Sequence, residues 1–489
     1  MSTPSSGAAG RHLGSLTLGP ITIPYGVIGE ARLLRGIEDA PQSFVRHLVV
    51  HGSLPRLSYP ELLDVLDRAG LRGCGGAGYP VAKKLRDLRA GRTRAVVVNC
   101  AEGEPGSAKD HLLAARKPHL LLDGAVAVAR AIRAKRIVVA VTDPHLFQIL
   151  NTARKRWPES HQIQIRQVKP RYITGEGGAL VSALSGGNGQ PSARRPHLTE
   201  RGLNGAPTLV YNAETCAQIA LAVRAGFGPS SESTARATGG AVTALVTVSG
   251  AVAHPGVYEV PADVKLGDVM RVAGVDDPQA VVIGGYHGTW LDPDPHLSLS
   301  AEALAEAGAS LGPGAIAFLG HDTCPLGELA AVAQWLAQES ANQCSPCALG
   351  LPALADNLTA LSNGVSDQPG IAATRQTADR IRGRGACAHP DGTTRFVLKG
   401  LAMLTDDIAA HQDHGGCSRP TKGHLALTRA DALNSLTAPS TPNNHQILMS
   451  ADPIRCKGTG LCAALLDAVT RDDQLEFPII DQQQLAAVP

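Results

Sequence analysis

Aromatic side chains make up only 3% of the 489 residues, so alanine, leucine and valine must fill whatever cores the chain builds. Charge of one sign is also lacking: 45 Lys and Arg against 43 Asp and Glu leave a formal net charge of +2. That is too weak a field to mark a nucleic-acid or anionic-membrane binder, so no nucleic-acid partner is expected. The longest apolar candidate, residues 120–141, is interrupted by Asp123, Arg130, Arg133, Lys135 and Arg136, which excludes a membrane-spanning helix and direct membrane insertion. Residues 1–10 lack the basic start and apolar stretch of a secretory signal, and no tandem repeat of solenoid type is present. These absences lead to a cytoplasmic address, or one at the periphery of a membrane complex, with thiols mostly reduced. Ten cysteines are present, and the close spacings of Cys344 with Cys347 and Cys456 with Cys462 favour metal or cluster ligation over disulfides.

The length predicts roughly two to four domains, and 53 Gly with 33 Pro imply many turns. Ser58-Tyr59-Pro60-Glu61 reads as a helix start with a capping box and a first-turn proline; the helix should run to about Ala69 and stop at Gly70. Residues 70–80, GLRGCGGAGYP, contain five glycines, too many for a regular element. Residues 94–99 form a β-branched run suited to a buried parallel strand, 118–134 have helical spacing, and 136–141 make a second buried strand. Strand, helix and strand in that order predict a βαβ unit and an α/β, Rossmann-like parallel sheet. Ligands of such sheets bind beyond the strand carboxyl ends, which points to residues 99–110.

The texture then changes to short strands (244–252, 257–260, 281–285) around a helix-like 266–273, read as a small separate β domain. Beyond Leu304 the pattern is helical to Leu361 and again over 394–410, joined by a polar stretch at 362–377. A Thr, Pro, Ser and Asn-rich linker at 435–445 sets off a short C-terminal module with Cys456 and Cys462.

Two segments carry chemistry. The glycine-rich loop brings backbone close to something, either a phosphate cradled by peptide N–H groups with Lys84 as a cation or simply a tight turn. The acidic segment 99–110, NCAEGEPGSAKD, is either a solvated loop or, with Glu102 and Glu104 at the sheet's carboxyl edge, a set of acceptors for ribose hydroxyls or a nicotinamide amide; the placement favours a ligand.

Together these segments resemble the family of NADH-binding flavoprotein subunits of respiratory complex I, shared with NAD-linked hydrogenases and formate dehydrogenases. GLRGCGGAGYPVAKKL is similar to the family's GLRGRGGAGFPTGxKW, and NCAEGEPGSAKDH to NADExEPGTxKDR; RYITGEGGAL at 171–180 resembles RYxCGEETAL, and YNAET at 211–215 resembles NNVET. The resemblance runs from about residue 40 to 414. It implies that Gly73, Gly75, Gly76, Gly78 and Lys84 hold the phosphate end of FMN, with Asn99 and Asn212 near the isoalloxazine ring. Glu102, the side chain assigned to the reacting centre, and Glu104 line the NADH side; Tyr79 offers a flat ring, and Gly175 and Glu176 match the third motif. Cys74 stands where the family has arginine, Val81-Ala82 where it has Thr-Gly, Tyr211 where it has Asn, and Gly177 in place of a second acidic residue.

The family supplies cysteines in ESCGxCxPCRxG and one further on for a [4Fe-4S] cluster, which needs one thiolate per iron. Here the stretch is ESANQCSPCALG, so Ala341 occupies the first position and Cys344, Cys347 and Cys387 remain, with His389 and Cys417 nearby in sequence. Three thiolates suit a [3Fe-4S] cluster, a cube with one open iron, or no metal. Residues 452–462, DPIRCKGTGLC, resemble the first cluster segment of small [3Fe-4S] ferredoxins, with Cys417 or a partner protein left to complete the ligand set.

The resemblance thus implies a flexible segment at 1–39, an FMN- and NADH-binding α/β domain at 40–240, a β-grasp (ubiquitin-like) domain at 241–300 and a helical iron-sulfur domain at 301–420. A linker at 421–445 and a ferredoxin-like segment at 446–489 follow. The activity it implies is hydride transfer from NADH to FMN, with electrons passing through a cluster to an iron-sulfur or ferredoxin-like partner subunit. The reading from a different class is a degenerate flavoprotein-fold scaffold that binds a nucleotide without turnover.

Overall fold

A computed structural model describes residues 10–18, 21–90, 94–191, 196–226, 243–365, 370–433, 469–471 and 478–480. Two compact units divide the chain, residues 1–436 and 437–489.

The first unit opens with strands β1 (Gly10–Leu18) and β2 (Ile21–Ile28), then helices α1 (Phe44–His51), α2 (Tyr59–Arg68) and α3 (Val81–Arg86). A four-stranded layer follows: β3 (Ala95–Cys100), α4 (Lys109–Arg116), α5 (Pro118–Ile132), β4 (Arg136–Val141), α6 (Pro144–Arg154), β5 (Ile163–Gln167), α7 (Gly177–Leu184), β6 (Thr208–Asn212) and α8 (Ala213–Ala225). A second layer comprises β7 (Thr243–Gly250), β8 (Gly256–Pro261), α9 (Leu266–Ala273), β9 (Pro278–Ile283), β10 (Thr289–Leu291), α10 (Ala301–Glu306) and β11 (Ala315–Gly320). Helices α11 (Pro325–Gln338), α12 (Leu351–Ser362), α13 (Ile371–Ile381), α14 (His389–Met403), α15 (Thr405–His414) and α16 (Arg429–Leu433) complete it. In the second unit β12 (Val469–Arg471) pairs antiparallel with β13 (Pro478–Ile480); Cys456 and Cys462 lie outside the described residues.

The α2 start forms as its sequence dictates: the Ser58 amide donates to Glu61 Oε2 at 2.7 Å and a proline sits in the first turn. The parallel sheet has the order β5-β4-β3-β6. Its alternation explains the unbroken apolar runs, because Val96, Val98 and Cys100 enter the core beneath α5 and α8 while Ala95 and Val97 face α7. The chain moves outward from β3 to β5 and returns to place β6 on the other side of β3, so the direction of winding reverses between β3 and β6. Ligands of open α/β sheets bind outside the carboxyl ends at such a reversal. Asn99 and Asn212 are register partners there.

Helices α5 and α8 approach until a Cβ built on Gly124 would lie 1.8 Å from the Cys216 carbonyl oxygen. Only a residue without a side chain permits that backbone contact.

The second sheet, ordered β1-β2-β8-β7-β11-β9-β10, corrects two expectations. Residues 1–39 were expected to be flexible, yet β1 and β2 are ordered strands with Ile23, Tyr25 and Val27 buried at period two. They are fastened by Glu259, whose carboxylate accepts the Arg32, Leu33 and Leu34 amides at 2.8–2.9 Å. The helical reading from Leu304 onward also breaks: residues 315–320 form β11, between β7 and β9, because a six-residue apolar run has no periodicity that separates a doubly buried strand from a helix. Ile316 and Phe318 face one core, Ala317 and Leu319 the helical one.

Residues 421–433, expected to begin a linker, are instead packed. Lys422, Gly423, His424 and Leu425 all donate their amides to the buried Glu328 carboxylate at 2.8–3.1 Å. Tyr286 donates its hydroxyl to the Ala426 carbonyl.

Candidate functional site

The glycine-rich loop is closed at its base. Gly73 donates its amide to the Tyr79 carbonyl at 3.0 Å, Val81 to the Leu71 carbonyl at 2.9 Å, and Cys74 to Thr215 Oγ1 at 2.9 Å. The amides of Gly75, Gly76, Ala77 and Gly78 donate to nothing among the described residues. Gly76 and Gly78 have φ of 108° and 57°, and a Cβ on either would meet nothing within 4 Å. Their glycines therefore serve backbone conformation, and the space above them is open. Four successive amides without a partner are the donor set that an anion nest requires. A Cβ on Gly75 would lie 3.2 Å from Asn212 Cβ, which sets the nest at the reversal between β3 and β6.

Beneath the nest lies a buried charge network. The Lys109 ammonium meets Asp110 Oδ1 at 2.9 Å, Glu214 Oε2 at 3.0 Å and Asn212 Oδ1 at 3.2 Å, and is 1% exposed. Burial works against the ammonium, but the two carboxylates outweigh it and hold the Lys109 pKa above the ordinary lysine value. Burial raises Asp110 to about 6 in spite of Lys109. Asn212 also accepts the Glu214 amide at 3.0 Å as the cap of α8 and donates to Asp110. Asn99 is likewise engaged, donating to the Gly175 carbonyl at 3.0 Å and accepting the Ala101 amide. Both carboxamides brace the crevice edge and have no polar atom left idle.

Glu102, expected to line the NADH side, is instead engaged within its own loop. Its carboxylate accepts Ser107 Oγ at 2.7 Å, the Asp110 and His111 amides at 3.0 Å, and His111 Nδ1. Burial penalises its charge, yet His111 and Arg429 outweigh that and keep it ionised well below the ordinary carboxylate range. It acts as a staple for residues 102–111, with its own φ at 34°. Lys84 also departs from expectation: its ammonium turns inward to the Val210 carbonyl and over the Tyr211 ring, at 5.3 Å from the centroid, and burial lowers its pKa. Tyr211 is buried with its hydroxyl unpartnered. Tyr79 is exposed at the rim, with Lys83 and Asp87 on its hydroxyl at 2.6 and 2.7 Å. Glu176 caps α7 through the Ala179 amide.

Glu104 is the exception among the acids. It is buried, with Oε2 accepting the Tyr286 amide at 3.1 Å and Oε1 lacking a partner, and burial pushes its pKa up from 4.5 to about 7. An acid whose pKa rises on folding costs stability as pH climbs from the unfolded value through the folded one. Wild-type protein should therefore lose on the order of 3 kcal/mol between pH 4.5 and 8 relative to Glu104→Gln. Parallel urea titrations of both proteins at pH 5 and pH 8 measure this, and pH-independent equality of the two would refute it.

In the helical region burial raises the Cys347 thiol to about 12, and Cys344 and Cys387 add to that shift. Ala341 is buried against Ile173, Ala179 and Cys387, so a methyl group stands beside the Cys387 thiol. His389 is not available to them: its Nδ1 meets His287 Nε2 at 3.1 Å and its Nε2 the Leu336 carbonyl at 2.9 Å. Cys417 is elsewhere, against Cys324 and His411, a grouping that sequence reading missed because ligands 87 residues apart leave no spacing signal. A cavity of 340 Å³ adjoins Cys347, lined also by Gln338, Ser340, Asn342 and Asp356.

Residues 66–221 match the family model of the Nuo51 FMN-binding domain, and residues 328–411 that of the NADH-ubiquinone oxidoreductase-F iron-sulfur binding region. The solved air-oxidised NAD+-reducing [NiFe]-hydrogenase aligns at TM-score 0.66 and 30% identity over 77% of this chain and 67% of that one. The chain belongs to the complex I flavoprotein family. Its relatives include the F subunit of NADH-quinone oxidoreductase from Mycobacterium tuberculosis strain H37Rv, 29% identical over 76% of this chain and 89% of the relative, and its counterpart from Escherichia coli K12, 27% identical over 73% and 86%. The H2-reduced hydrogenase aligns at TM-score 0.65 and 29% identity, where the chain spans 63% of the hydrogenase polypeptide. In this family member the flavin-domain match encloses the nest, both asparagines and Lys109, while the iron-sulfur match encloses the three thiols. No helix among the described residues is long and apolar enough to cross a membrane.

Proposed function

We propose that the chain is an NADH-oxidising flavoprotein subunit, with the phosphate end of FMN seated on the amides of Gly75 to Gly78. The observation carrying this is four unpaired amides at the sheet reversal, where backbone dipoles favour an anion. Bound flavin would supply hydride acceptance and one-electron release. The chain's own residues position it: Asn99 and Asn212 fix the crevice edge, Lys109 fixes Asn212, Glu102 staples the 102–111 loop, and Tyr79 presents its ring at the rim. In this reading Gly175, Glu176 and the buried Glu104 support the side of the site that would take the nicotinamide nucleotide.

Residues 40–240 form the flavin domain in this reading. Strands β7 to β11 form a β-grasp module that recruits β1 and β2, and the helices from α11 onward form an iron-sulfur domain. Cys344, Cys347 and Cys387 fit a three-thiolate cluster; a cube with four cysteine ligands does not fit them, because Ala341 offers no donor. Cys456 and Cys462, which lie outside the described residues, would in this reading pass electrons toward an electron-accepting partner subunit in a larger assembly.

Purified protein should be yellow-brown and its flavin absorbance should bleach with NADH; a colourless preparation that ignores both FMN and NADH would favour the scaffold reading instead. Lys84 turns inward and Cys74 replaces arginine, while the Arg72 guanidinium donates to the Gly78 carbonyl at 2.9 Å. Cys74→Arg adds a charge-assisted bond of about 1.5–3 kcal/mol, so the FMN dissociation constant should fall roughly tenfold to a hundredfold. Fluorescence titration with FMN measures it, and an unchanged constant in a folded variant would displace the phosphate from this loop.

A further inference from the structure

Cys324, His411 and Cys417 present their ligand atoms within 4.8 Å of one another, apart from the three thiols of the iron-sulfur region and at the margins of the family match. Cys324 caps the N-terminus of α11, His411 lies in the last turn of α15, and Cys417 follows that helix. Cys324 Sγ is 3.3 Å from His411 Nε2, and both residues are buried. Tetrahedral zinc, at about 2.3 Å from sulfur and about 2.0 Å from nitrogen, separates such a pair by about 3.5 Å. A lone S–H···N bond would explain that pair but not the third ligand converging on it.

The Gly327 amide, at the positive end of α11, donates to Cys324 Sγ at 3.3 Å. Cys417 Sγ lies within 4.8 Å of both Cys324 Sγ and the His411 ligand nitrogen. An N–H donor on a ligand sulfur orients and stabilises that ligand toward a bound cation.

We propose that Cys324, His411 and Cys417 bind a thiophilic divalent cation, zinc foremost, with water in the fourth position, and that this metal roots the strap formed by residues 418–433. The strap begins at the site, where Cys324 donates its amide to the Pro420 carbonyl at 2.8 Å. It continues over Glu328 and ends where Arg429 donates to the Ser107 and Glu102 carbonyls at 2.7 and 2.6 Å. Metal occupancy is thereby linked to the rigidity of the 102–111 loop. On binding, the two thiols release their protons to solvent and the histidine binds neutral.

Metal content by mass spectrometry of the full-length chain, purified without an immobilised-metal step, tests this. The expected result is one zinc per chain in addition to any iron. Zinc should fall about tenfold or more in Cys417→Ser and in His411→Asn, iron should stay unchanged, and hydrogen exchange should rise over 422–425 and 102–111. Cobalt substitution should give thiolate charge-transfer absorption that roughly halves in Cys417→Ser, in which one of two sulfurs is gone. Half-buried Cys417 is the safer variant should His411→Asn fail to fold. Absence of zinc, zinc retained in folded Cys417→Ser, zinc loss with no change in exchange over either segment, or a Cys324–Cys417 disulfide in non-reducing peptide maps would overturn the proposal. Flavin content plays no part in this readout, so the site stands or falls independently of the proposed activity.

Discussion

Gly124→Ala should destabilise the flavin domain by about 3 kcal/mol or more, lowering the melting temperature by several degrees. In a solvent-facing helix the same change would add about 1 kcal/mol of helix propensity, so the expected sign is itself diagnostic. The clash here is with the Cys216 backbone, 1.8 Å away, and no rotamer change can relieve it. Either α5 and α8 separate, opening the core shared by Leu120, Val128, Ile219 and Val223, or the α5 backbone bends. Differential scanning calorimetry of the two proteins decides the matter. A melting temperature equal to or above wild type would mean that the helices do not meet as described.

Lys109→Met should cost about 3–5 kcal/mol, because it leaves Asp110 and Glu214 buried with no cation between them. The defect should depend on pH. Without the ammonium the carboxylates are costly to ionise inside the fold, so their folded pKa values rise and the deficit shrinks as pH falls and they protonate. Melting curves at pH 8 and pH 5 test that order, and adding Asp110→Asn should recover part of the loss at pH 8. Since Lys109 also holds Asn212 at 3.2 Å, the single variant should retain less flavin. Wild-type stability of Lys109→Met at pH 8 would mean that the network does not hold the crevice together.

Much of this architecture was legible in the sequence where the signal is local. The capping box at Ser58, the strands at 95–100 and 136–141 and the helix at 266–273 follow from periodicity and punctuation within a few residues. The nest was legible because five glycines in eleven residues demand open backbone. What stayed hidden depends on partners distant in the chain. Glu259 gathers amides from 32–34 and Glu328 gathers them from 422–425, so two segments without strong patterns become ordered through single buried carboxylates. Lys84 was expected at the flavin phosphate and Glu102 on the NADH side; the Val210 carbonyl and His111 instead turn both inward.

The Glu259 and Glu328 clamps bear on where the polypeptide can be cut. A fragment begun at residue 40 would strand a carboxylate beneath β8 with no amides to meet it, and one ended at 420 would do the same at the first turn of α11. Each such carboxylate would leave an unsatisfied buried charge in place of a closed sheet or helix end. Boundaries placed by composition at residues 40 and 420 therefore fall inside the folded body.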